Sequence, residues 1–120
     1  MLDIDRPDAA TRAAMKAQTK MQERDLAGLE YLLSDERGRW LVMRLFERCH
    51  MMSTTFPPTD DTGRMLIYEG ERRVALGIKD NIVRDADRLQ KLQLAEREYR
   101  AWMTKQEETV RALELDKKQE

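Results

Sequence analysis

The sequence is poor in everything that interrupts a helix. It holds three prolines and five glycines in 120 residues, and two of the prolines, Pro57 and Pro58, are adjacent, so most of the chain runs unbroken. Aromatics are scarce at 6%, while 38% of residues are charged against a usual figure of about 25%, which leaves material for only a small core. The single cysteine, Cys49, excludes an internal disulfide, and with His50 as the only histidine it cannot assemble a zinc ligand set. No apolar run approaches the roughly 18 residues that span a bilayer. The start, MLDIDRPDAATRAAMK, lacks the apolar centre of a signal peptide, so the expectation is a cytosolic product without a membrane segment. Gly63, Gly70 and Gly77 follow no strand and form no phosphate-cradling pattern, so no nucleotide or other cofactor is expected.

Charge of one sign is also missing. Lys plus Arg is 22 and Asp plus Glu is 23, divided as 5 and 6 up to Leu33, 8 and 8 from Ser34 to Val83, and 9 and 9 thereafter. A surface that binds polyanions globally has no support in such a balance.

What remains is a composition of Ala, Leu, Glu, Lys, Arg, Gln and Met, which reads as an all-α protein. Three segments are expected: an N-terminal helix in 1–33, a helical hairpin core in 34–83, and a long, charged, coiled-coil-like helix with a frayed end in 84–120. Pro7 suits a first helical position, and Leu26, Leu29, Leu32 and Leu33 supply the apolar end of the first helix. Lys16, Lys20 and Arg24 recur every four residues beside few apolar partners, as on a solvated face. Ser34 or Asp35 is placed to cap the next helix, with Leu41 and Leu45, and Val42, Phe46 and Cys49, as two adjacent apolar rows. FPPTDD stops that helix, and Thr59 or Asp60 caps the one after it.

In that third helix Gly70 and Gly77 lie close to one face. Each interior glycine costs roughly 1 kcal/mol relative to alanine, which implies that another backbone comes close. The expected core therefore buries Leu41, Leu45, Phe46, Phe56, Val74 and Ile78, with Gly70 and Gly77 at the closest approach to the preceding helix. After Val83 a three-four alternation runs through Leu89, Leu92, Glu96, Tyr99, Met103, Gln106, Val110 and Leu113, and Ile78 and Ile82 continue it backward. One rod of about 50 residues would be about 75 Å long. Leu89, Leu92, Tyr99, Met103, Val110 and Leu113 form its apolar seam, an expected assembly surface for a second copy or another protein.

Few residues carry chemistry. Cys49 and His50 are neighbours on a helix and point about 100° apart, so a thiol activated by its base is not the reading. Asp60 and Asp61 suit a helix start better than a cation site. Arg37, Arg39, Arg44 and Arg48, with Trp40 among them, are the best candidates for nucleic-acid contact. Asp35, Glu36 and Glu47 lie between them, so an ion-paired or solvated face is the favoured alternative.

The block from Asp35 to Ile82 resembles a family of small proteins encoded among the virion genes of tailed bacteriophages, typified by a member from a Bordetella podophage. The matching residues are Glu36, Gly38, Arg39, Leu41, Leu45 or Phe46 and Cys49, then Phe56 and Asp60, then Tyr68, Glu69, Gly70, Arg72, Arg73, Val74, Leu76 and Ile78. Arg37, between Glu36 and Gly38, is an insertion relative to that pattern. The resemblance implies a non-enzymatic phage protein tied to particle structure or assembly, made in the infected bacterium and carried in the virion. Its expected partners are itself and other virion proteins. The rival expectations are a DNA-handling packaging factor and a host-directed binding protein.

Overall fold

A computed structural model of the protein describes residues 8–51 and 62–119. These form four helices, α1 (Ala9–Ser34), α2 (Glu36–Arg48), α3 (Thr62–Val83) and α4 (Ala86–Gln119), and no strand lies among the described residues. The protein is all-α with a long C-terminal helix. Pro7, Phe56, Pro57, Pro58, Thr59, Asp60 and Asp61 fall outside the described residues.

The alanine-rich α1 begins where Asp8 caps it, its carboxylate accepting from Thr11 N at 2.7 Å, and this bond holds the Asp8 carboxyl below the usual aspartate range. A single residue, Asp35, separates α1 from α2. Its extended backbone (φ −120°, ψ 140°) turns the chain, and its Oδ1 accepts from Arg37 N at 2.8 Å, opening α2. The Arg37 guanidinium bonds the same carboxylate, which lowers the Asp35 pKa to about 2. Of the two caps expected from sequence, Asp35 serves, while Ser34 Oγ turns back to donate to Glu30 O at 2.7 Å.

So sharp a corner presses the start of α2 on the end of α1. Gly38 is buried there, where a Cβ would lie 2.7 Å from Leu32 Cα. The inward face of α2 is Gly38, Val42, Met43 and Phe46. Leu41 and Leu45, expected in the core, are instead 57% and 41% exposed. Each precedes a buried residue by one position, a rotation of about 100°, and the contacts with α1 and α4 select the Val42 side.

α2 stops before the proline pair. His50 adopts a left-handed backbone (φ 63°), with Met51 N bonded to Phe46 O at 3.0 Å and His50 N to Glu47 O at 3.1 Å. That is a Schellman ending with histidine in glycine's usual place. The His50 ring stacks on Tyr68 of α3 at 4.1 Å, and Nε2 lies 3.0 Å from Glu71 Oε2, which joins α2 to α3.

In α3 the inward residues are Ala75 and Ile82, with Ile78 half-buried beside them. Val74, expected to be buried, is 65% exposed, and a Cβ at Gly70 or Gly77 would meet nothing within 4 Å. The expected close approach at these two glycines is not made: their face points outward because Ala75, one residue on from Val74, takes the inward direction. Of Gly28, Gly38, Gly70 and Gly77, it is Gly38 that another backbone approaches closely.

The expected continuous rod is likewise broken. α3 ends at Val83 and α4 begins at Ala86, with Asp85 capping the latter by accepting from Arg88 N at 3.0 Å. The Arg88 guanidinium then bonds Asn81 O at 3.1 Å and Glu30 at 3.0 Å, tying the start of α4 to α3 and α1. Asp85, the polar residue that interrupts the apolar register, marks the corner.

The core consists of Leu33, Val42, Met43, Phe46, Ala75, Ile82, Leu92, Ala95 and Tyr99, drawn from all four helices. It occupies only the middle of the molecule. Residues 9–25 of α1 and 104–119 of α4 are exposed, two arms projecting from the packed block. The radius of gyration is 21.2 Å and the extents are 88 × 40 × 18 Å. A compact domain of this length would have a radius of gyration of about 14 Å.

Candidate interaction surfaces

Two surfaces follow from the sequence, the arginines of α2 and the seam of α4. The fold treats them differently. Arg39 Nε donates to Glu98 Oε1 at 2.6 Å, and its other nitrogens reach Glu98 Oε2 at 3.3 Å and Leu33 O at 3.0 Å. With a side chain only 14% exposed, it joins α1, α2 and α4, and Glu98 raises its pKa. Arg44 lies 2.8 Å from Glu47 and 3.3 Å from the Tyr99 hydroxyl, which itself donates to Glu47. Arg37 is exposed but bonded to Asp35. Arg48 is exposed at the end of α2. Two of the four arginines, Arg39 and Arg44, are thus structural ties.

Trp40, whose ring the sequence offered for stacking on a base, packs instead against Tyr99 and Trp102 at centroid separations of 5.1 and 4.8 Å. Trp102 was not singled out by sequence reasoning. The available signal was its position directly before the seam residue Met103.

The seam of α4 is divided by the fold. Leu92 and Tyr99 are in the core, Leu89 is half-buried and Met103 packs on the core edge, all covered by the chain's own helices. Val110 and Leu113 continue the same stripe into the arm, where they are 53% and 60% exposed. Trp102, Met103, Gln106, Glu107, Val110 and Arg111 line an open groove of about 400 Å³ along this boundary. Cys49 is half-buried against the core, and His50 is engaged with Tyr68 and Glu71. Among the described residues no group of His, Cys, Asp and Glu is placed to hold a metal ion, and no helix is long and apolar enough to cross a membrane.

A family model described as Bbp19-like phage protein matches residues 29–96. The chain belongs to this family. The match is wider than the resemblance seen in the sequence, taking in the end of α1 and the first part of α4. It therefore coincides with the packed block: every core residue except Tyr99 lies inside it, and both arms of this Bbp19-like protein lie outside. No curated protein and no solved structure matches the chain.

Proposed function

We propose that this Bbp19-like protein is a non-enzymatic component of the phage particle or of its assembly. It is made in the infected cell's cytoplasm and acts through helix-to-helix contacts with itself and with other phage proteins. The observation that carries the reading is the exposed continuation of the α4 seam at Val110 and Leu113, in register with residues that the chain itself covers. A solvated helix gains nothing from keeping such a stripe, whereas a packed one derives most of its stability from it. The DNA-handling alternative draws less support, because Arg39 and Arg44 are committed to Glu98, Glu47 and Tyr99.

The test is mass spectrometry of purified particles from phage carrying the full chain or a chain ending after Lys105, which keeps every core residue. The expected result is a stoichiometric signal for the full chain and a reduced one for the shortened chain. Absence of the full chain from particles overturns the virion component reading, and equal incorporation of both removes the role given to the seam.

A further inference from the structure

The two arms leave the packed block at opposite ends. Arg88, near the start of α4, binds Glu30 of α1, while Arg39 bonds both Leu33 O and Glu98 further along α4. Both helices therefore advance in the same sense through the core. The α1 arm lies before the start of α4, and the α4 arm lies beyond the end of α1. The 88 Å long axis, against about 51 Å for α4 alone, reflects this divergence. Within one molecule the arms do not meet.

Their chemistry is complementary. Residues 9–22 contain Arg12, Lys16 and Lys20 and no acidic residue. Residues 107–116 contain Glu107, Glu108, Glu114 and Asp116 against Arg111 alone, with Lys117 and Lys118 beyond them at the helix end. Glu107 and Glu114 border the Val110 and Leu113 stripe on one side and Asp116 on the other, so two α4 arms laid face to face would set acid against acid. The α1 arm offers a matching surface: Ala10, Ala14, Ala17 and Met21 repeat at four, three and four residues, the rhythm of the seam, with Lys20 beside them. Its alanines let a second backbone come close.

We infer that the α1 arm of a second copy of this chain occupies the α4 arm. The inference rests on the helix-mediated assembly reading and names its first partner. Each copy presents a basic segment in its α1 arm and an acidic segment at 107–116 of its α4 arm, so two copies side by side and antiparallel set the two against each other.

The full-length protein is tested by sedimentation equilibrium over a concentration series, with Lys16→Glu/Lys20→Glu and Glu107→Lys/Glu114→Lys as charge-reversed variants. All four positions are exposed, so the thermal midpoints should stay near that of the parent. The parent should self-associate, and more weakly as salt rises. Each variant alone should associate about ten-fold or more weakly, because like charges then face each other. An equimolar mixture of the two variants should recover association, since one then carries an acidic segment in both arms and the other a basic segment in both. A parent that stays monomeric throughout, variants that associate like the parent, or a mixture no tighter than its components would each overturn the inference. A monomeric parent that is nonetheless found in particles defeats this inference alone. Intact self-association with absence from particles defeats the virion reading alone.

Discussion

Gly38 and Leu32 stand so close that a Cβ on the glycine would lie 2.7 Å from Leu32 Cα. The neighbour is backbone rather than a flexible side-chain end, and Asp35 is the only residue between the two helices. Gly38→Ala must therefore push α2 away from α1. The expected cost is about 1–3 kcal/mol, the range for overpacking. At roughly 4 °C per kcal/mol for a domain of this size, a thermal melt resolves it. An unchanged midpoint would show that the corner relaxes freely.

Gly70 and Gly77 should behave in the opposite way. Neither has a neighbour within 4 Å of its Cβ position, so Gly70→Ala and Gly77→Ala should each stabilise α3 by about 0.5–1 kcal/mol through helix propensity alone. A lower midpoint in both would mean that another backbone covers this face in solution.

Asp35 confers a pH dependence whose sign follows from its lowered pKa. Its carboxylate is favoured in the folded state by the Arg37 side-chain and backbone bonds, which bring it from 3.8 to about 2. The stabilisation is present above pH 3.8 and is lost as pH falls through about 2. Asp35→Asn keeps a capping oxygen but removes the titration, so the slope of midpoint against pH between these values should be shallower than in the parent. Identical slopes would contradict the assigned bond.

Arg39 should matter for stability and not for nucleic acid. Arg39→Ala removes a largely covered, two-pronged bond to Glu98 and one to Leu33 O, at an expected cost of about 1–3 kcal/mol. Gel-shift titration of the parent with duplex DNA at about 0.15 M salt should reveal nothing tighter than the non-specific range of about 10⁻⁴ to 10⁻⁶ M. Nanomolar binding, falling steeply with salt and abolished by Arg48→Glu, would restore the packaging reading.

Much of this molecule is local, and the sequence alone determined it. Helical class follows from propensity, the helix boundary at Asp35 from a capping carboxylate, and the register of Leu92, Tyr99 and Met103 from a spacing that any helix must display, whereas the break at Asp85 came only with the fold. Tertiary packing decided which side of each helix turns inward. Leu41 and Val42, or Val74 and Ala75, are adjacent and both apolar, so periodicity supports either, and the packing of α1 and α4 on α2, and of α4 and α2 on α3, selects one. The glycines teach the same lesson. Their cost in a helix implied a close approach somewhere, but only the sharp corner at Asp35 put it at Gly38 and left Gly70 and Gly77 in the open. The arginines of α2 looked alike as a string of charges, and their difference arose when α4 carried Glu98 and Tyr99, more than fifty positions away in sequence, to within bonding distance of Arg39 and Arg44. Long-range placement of that kind leaves no periodic trace, because spacing along one helix carries no information about which helix will lie across it.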